Sequence, residues 1–399
     1  MTKTFLLPLL FILCAATPLF ANKYDIAAFV WPAYQAEPRW KELGIFSHGT
    51  GEWQSVYEAV AKTEGHKQPK IPLWGYERDD DPIAVARQID AALAAGINVF
   101  IYDWYWYKGR PFLENALNNG FLKAPNNGRM KFFIMWANHH VNNYWDNTKS
   151  KKSTPQPIWD GRISLDEFKS IAKRSLDMYF KKPNYYTIDG KPVYGIYELD
   201  TFVDGVGGAE KAKEAIEYLR EICRDAGFKG AHVMVIARFP DTIKGGIPNV
   251  ENPTAKDIAA YLGIDSFTTY NWVHISGDKG EYKDWAEKSL NAFDTLSEKV
   301  GIPYFANVSV GWDNNARFPK DFLSPMVVNS NPDDYANALE KALKWADSHN
   351  PQLPKLITVN SWNEWTEGSY LMPDTDFGYG YLNATRKVLD KHKADCQKQ

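Results

Sequence analysis

The stretch PIAVARQIDAALAAGINVFIYD, residues 82–103, decides how the chain is read. Asp81 offers an N-cap side chain and Pro82 the preset φ of a first helical residue. Apolar residues then recur at helical spacing to Ala95, Gly96 supplies the left-handed C-terminal cap, and Asn98 to Asp103 is a β-rich run ending on a polar group. A helix handing over through glycine to a buried strand is a unit of alternating α/β structure and predicts a parallel sheet. The acidic Asp79-Asp80-Asp81 belongs to that helix cap.

The same unit recurs on both sides. A first β-rich run, Asp25 to Trp31, precedes it, and Met130 to Trp136 follows as the third. Val193 to Tyr197 is the fourth, after a helix from about Leu165 to Tyr179 and a turn at Asp189-Gly190. His232 to Ala237 is the fifth, after a helix from about Gly208 to Ala226 that ends on Gly227. Asp265 to Tyr270, Tyr304 to Val310 and Leu356 to Ser361 complete the series, with helices near Lys283 to Val300, Pro332 to His349 and Gly378 to Lys391. Eight such strands predict one (β/α)8 barrel. A doubly wound sheet is the alternative, but no Gly-x-Gly-x-x-Gly opens a helix after the first strand, which disfavours a dinucleotide site. No repeat or Gly/Ser linker divides the chain, and Lys149 to Pro157 reads as a solvated loop.

Composition narrows the function. Of 399 residues, 44% are apolar and 24% charged, a globular balance. The 46 Lys and Arg against 49 Asp and Glu leave no basic field for a phosphate backbone, so nucleic acid is set aside as a partner. The 15 Trp, 22 Tyr and 21 Phe exceed what packing needs and point to a site that stacks on rings, with sugars first in mind. Residues 1–21 have the layout of a secretory signal peptide: Lys3, an apolar run from Phe5 to Ala16, and Ala21 before the polar Asn22. A mature domain over residues 22–399 follows, secreted or periplasmic, or held at the cell surface. The apolar run is shorter than the ~20 residues of a bilayer span, and no integral membrane segment is read. Beyond the leader lie Cys223 and Cys396, which either pair or stand as a buried and a terminal thiol. They are too few for a disulfide framework or a zinc site, and no cofactor is expected.

Barrel enzymes place their chemistry at the C-terminal ends of the strands. Those ends present Trp31 and Tyr34; Asp103, Trp104 and Tyr105; Trp136, Asn138, His139 and His140; Glu198; Arg238; Tyr270, Asn271 and Trp272; Trp312 and Asp313. The eighth is the richest, with Ser361-Trp362-Asn363-Glu364-Trp365-Thr366-Glu367-Gly368. Glycosidic cleavage requires a protonated carboxyl for the departing oxygen and a second group for the charge growing at the sugar carbon. Glu364 and Glu367 fit that pair if the segment turns, with the tryptophans excluding water and raising a carboxyl pKa. The competing reading makes Glu367 a cap, and Glu198 with Asp313 is a second possible pair. For His139 and His140 the readings are substrate hydrogen bonding or packing. No carboxylate stands at ligand spacing and neighbours on a strand point apart, so no metal is assigned. Asp103 serves either a sugar hydroxyl or a loop. Residues 104–107 alternate faces, half core and half stacking platform. Arg238 and Arg317 recognise an acidic sugar or sit in surface salt bridges.

Asn363-Glu364-Trp365-Thr366-Glu367-Gly368, together with Asp103-Trp104-Tyr105, Trp136-Ala137-Asn138, Asp189-Gly190-Lys191-Pro192 and Gly311-Trp312-Asp313, resembles glycoside hydrolase family 99 and its WbsX-type relatives. The resemblance runs from about Asp25 to Leu389. It is closer to the WbsX-type branch, whose members are often called glycosyltransferases, than to the endo-α-mannosidases. Family 99 enzymes are retaining, endo-acting hydrolases of α-mannosides. The resemblance implies that Glu364 deprotonates the sugar 2-hydroxyl, which attacks the anomeric carbon, and that Glu367 is the general acid and then base. Thr366 replaces the family's histidine. A secreted glycoside hydrolase acting on a polysaccharide or glycan is therefore the leading expectation. A WbsX-type glycosyltransferase and a non-catalytic carbohydrate-binding barrel are the rivals.

Overall fold

The computed structural model describes residues 24–142, 157–349 and 355–396. The leader expected at residues 1–21, most of the loop expected over Lys149 to Pro157, and the Cys396 side chain lie outside the described residues. Eight parallel strands form the barrel: β1 (Asp25–Val30), β2 (Val99–Tyr107), β3 (Lys131–Trp136), β4 (Lys191–Glu198), β5 (His232–Arg238), β6 (Ser266–Thr268), β7 in two pieces (Tyr304–Phe305 and Asn307–Ser309) and β8 (Leu356–Asn360). Strand β1 pairs with β2 through Ala27 and Val99 and with β8 through Asp25 and Leu356. Strand β7 changes partner around Ala306. Its first piece pairs with β6 and its second with β8, and this closes the ring. The expected single (β/α)8 barrel is the observed fold.

The helices shield the outer face. They are α1 (Pro82–Ala95), α2 (Leu165–Ser175), α3 (Leu199–Val206), α4 (Ala209–Asp225), α5 (Ala255–Leu262), α6 (Tyr282–Asn291), α7 (Phe293–Val300), α8 (Pro332–His349) and α9 (Gly380–Cys396). Helix α1 begins as its sequence requires: the Asp81 carboxylate accepts from the Ile83 N–H, and Gly96 turns out at φ 92°. The helix expected from Lys283 to Val300 is two, parted at Ala292 just after Asn291, a residue with low helix propensity. The helix expected to reach Tyr179 passes into a π-turn over Leu176–Phe180.

Strand β2 runs four residues past Asp103 and folds back on Arg110–Phe112 as a hairpin above the barrel. Between β1 and α1 lies a long excursion, residues 31–81, with short helices at Trp40–Leu43 and Trp53–Tyr57. It crosses β1's exit closely: a Cβ on Gly51, at φ 61°, would lie 2.0 Å from the Ala33 carbonyl oxygen. The turn therefore needs glycine, and the next residue, Glu52, is carried inward. Cys223 is a buried thiol on α4, pushed up to about 12 by burial. Among the described residues no helix is long and apolar enough to cross a membrane.

Candidate active site

Beyond β8 the chain makes a tight hairpin. Asn363–Glu364 pairs antiparallel with Ser369–Tyr370, a 3-10 turn at Trp365–Glu367 joins them, and Gly368 accepts φ 61° at its end. The turn brings residues three apart to one side, so Glu364 and Glu367 line the same cavity of about 270 Å3 at the barrel mouth. Trp362 and Trp365 point the other way and are fully buried, Trp362 donating to Gln88 Oε1 and Trp365 stacked on Tyr370. The hairpin is pinned to β1. Asn363 accepts from the Trp31 N–H at 2.8 Å, and its amide donates to the Trp31 carbonyl and to Asp79 Oδ2, each at 2.9 Å.

A single guanidinium organises the acids. Arg317 donates from Nε to Glu52 Oε1 at 2.8 Å, contacts Glu367 Oε1 directly, and lies 3.5 Å from Glu364 Oε1. Glu52 also accepts from the Trp31 indole N–H, and the guanidinium sits over the Trp31 ring at 5.1 Å. Glu364 Oε2 accepts from the Tyr270 hydroxyl at 2.8 Å. Burial pushes both Glu364 and Glu367 up, and the neighbouring Glu364 charge adds to burial in carrying Glu367 well above the usual carboxylate range. Arg317 opposes this without cancelling it. On the opposite wall, Asp103 is raised by burial and by the Glu364 charge.

Over residues 26–385 the chain matches the family described as Glycosyltransferase WbsX. It belongs to that family. The chain is 24% identical over 376 residues to the uncharacterized protein WxcX of Xanthomonas campestris pv. campestris, in each of two strains. That alignment covers 92% of this chain and 50% of WxcX, so the chain spans about half the length of the curated relatives it matches. Among solved structures it resembles the GH99 endo-alpha-mannosidase of Bacteroides thetaiotaomicron, with TM-score 0.58, 14% identity, and coverage of 93% of this chain and 98% of that one. It also resembles a glycoside hydrolase-like protein, with TM-score 0.55, 15% identity and coverage of 92% and 94%. At such identity the likeness is one of fold. The family read from the sequence motifs is thus the family found.

The cavity gathers many of the expected residues. Trp31, Asp103, His139, Glu198, Tyr270, Asn271 and Trp312 line it with the two glutamates. Others are corrected. Trp104 faces away from Asp103, as strand neighbours must, and its indole donates to Glu114 while its ring stacks on Trp106. Trp136 packs between Phe168 of α2 and Phe202 of α3, and Trp272 donates to the Asn307 carbonyl in the core. Tyr34 stacks on Trp53 and its hydroxyl accepts from the Thr366 N–H. Trp365 lies beneath the hairpin, and Asn363 positions backbone. So does Asn138, which exchanges hydrogen bonds with the Glu198 N–H and carbonyl. Asp313 looks into a neighbouring cleft. Burial would raise it, but donation from His66 and Asn315 holds it at about 2, and this separates it from Glu198 as a catalytic partner. Arg238 is exposed near Asp200, and Arg317 is occupied by carboxylates, so neither is placed to read an acidic sugar. His139 faces the cavity and is lowered by burial, whereas His140 turns outward to Asp160.

Tyr197 and Glu52 escaped the sequence reading. Strand alternation could have found Tyr197, since it lies two residues after Gly195 on β4. No local pattern announces Glu52, which reaches the acids from the long excursion after β1.

Proposed function

We propose that the chain is an exported glycoside hydrolase that cleaves glycosidic bonds of a polysaccharide or glycan with retention. The observation that carries this reading is that Glu364 and Glu367 line one cavity and share the Arg317 guanidinium, with burial and the Glu364 charge raising Glu367 well above the usual carboxylate range. Glu364 takes the proton of the sugar 2-hydroxyl, whose oxygen bonds to the anomeric carbon as the glycosidic bond breaks. Glu367 gives its proton to the departing oxygen. Water then attacks the anomeric carbon and passes a proton to Glu367, while the 2-oxygen recovers its own from Glu364. Trp31, Trp312 and Tyr105 supply ring faces for the sugar. Residues 1–21 serve as the leader and residues 22–399 as the catalytic domain, working outside the cytoplasm or at the cell surface.

The family's description favours a second reading, transfer from a sugar donor. A panel of α- and β-linked glycans, incubated with wild type, Glu364→Gln and Glu367→Gln, decides between them. Hydrolysis by wild type, reduced by at least ~10² in each variant with binding retained, supports the proposal. Turnover that requires an activated sugar donor supports the transferase, and binding without turnover in wild type supports a lectin-like barrel. Either of these last two results overturns it.

A further inference from the structure

The Tyr270 hydroxyl oxygen lies 3.0 Å from Asp103 Oδ2 and 2.8 Å from Glu364 Oε2. Both are hydrogen-bond lengths, yet a phenol has one hydrogen to donate. One of the two contacts therefore needs a hydrogen on a carboxyl group. Glu364 has the surroundings of an anion, with the Arg317 guanidinium 3.5 Å from Oε1 and the Asn360 amide 3.4 Å from Oε2. Asp103 has the opposite surroundings. It is 5% exposed, and its Oδ1 accepts from no donor among the described residues. The ionisable groups facing it are Glu364 and Glu367 from the hairpin, Tyr270 after β6, Tyr105 on its own strand and Tyr197 on β4. None of these carries positive charge.

We propose that Asp103 is a neutral carboxylic acid in the folded protein, donating its hydrogen to the Tyr270 oxygen while Tyr270 donates to Glu364. Asp103 is then a positioning residue that fixes, through Tyr270, which acid stays ionised. Burial, reinforced by the charge of Glu364, pushes the Asp103 carboxyl well above the usual range and agrees with this placement. The protonation state stands independently of the reaction. Its use in keeping Glu364 basic rests on the hydrolase reading.

Infrared difference spectra test it without any substrate. Wild type minus Asp103→Asn at neutral pH should show a lost carbonyl stretch of a neutral carboxylic acid, sensitive to exchange into deuterium oxide and shifted in Tyr270→Phe. A lost carboxylate stretch instead would show Asp103 ionised and overturn the proposal. Should Asp103→Asn not fold, carboxyl-carbon NMR of aspartate-labelled wild type replaces it. One aspartyl resonance at the protonated position at neutral pH, moved by Tyr270→Phe, supports the chain, and the lack of such a Tyr270-dependent resonance refutes it. In the hydrolase assay, Tyr270→Phe should move the acid limb of kcat/KM up by about 1 in pH, because Glu364 loses a donor to its anion. An unmoved limb beside a positive infrared result would count against Tyr270 as the link. Glycans left uncut by wild type would bear on the reaction alone.

Discussion

Arg317 is the residue on which the candidate site turns. It holds Glu52, Glu364 and Glu367 together, and Glu52 is 1% exposed. Removing the cation from a buried pair leaves charge without compensation, at a cost of about 3–5 kcal/mol. Arg317→Met should therefore melt several degrees lower, by calorimetry. The loss of positive charge should also raise both acids and carry the whole pH–rate profile upward. In wild type the profile should be bell-shaped. Activity falls at low pH as Glu364 takes a proton, and at high pH as Glu367, raised by burial and by its neighbour, finally loses its own. The two glutamates were legible in the sequence because a short motif at a strand end carries both. Glu52 was not, since it meets Arg317 across 265 residues with no local pattern to mark it. Trp104, Trp136 and Trp272 misled for a related reason: a tryptophan near a strand end looks the same whether it stacks on sugar or fills the space under a helix.

Elements were read more surely than contacts. Helix α1 begins and ends where its caps predict, and α8 begins at the expected Pro332, because Asp81-Pro82, Gly96 and Pro332 act on the nearest backbone. The split of β7 at Ala306 was hidden, being a matter of which neighbour each half pairs with. The tie between α1 and the acidic hairpin was hidden too. Asp79 accepts from Gln88 of α1 at 2.9 Å and from Asn363 at 2.9 Å, so it joins the two elements instead of capping a helix. Burial raises Asp79 from 3.8 to about 7. A carboxyl raised on folding prefers its protonated form in the fold, so its contribution is full below pH 3.8 and is lost as pH rises through about 7. The loss amounts to about 4 kcal/mol. Melting curves against pH should show this decline in wild type and a flatter course in Asp79→Asn. Gly51→Ala belongs to the same scale. Its Cβ would strike the Ala33 carbonyl, so the variant should displace Glu52 and lose about 1–3 kcal/mol in denaturant melts.

At the scale of the molecule, the barrel depends on β8 lying between β1 and β7. A chain stopped after His349 keeps most of its residues yet exposes two unpaired strand edges. It should show no cooperative thermal transition by circular dichroism and be cut rapidly by protease. Binding should be visible in the intact molecule, since Trp31 and Trp312 line the cavity. A glycan that occupies it should change tryptophan emission in Glu364→Gln, and replacing both indoles should abolish the change.

Closure by the last strand also sets a time. Both acids are made after all eight strands of the barrel, and the hairpin that bears them needs β1, made long before, to hold it. Glu52, Arg317, Glu364 and Glu367 can therefore gather only once β8 has docked between β1 and β7.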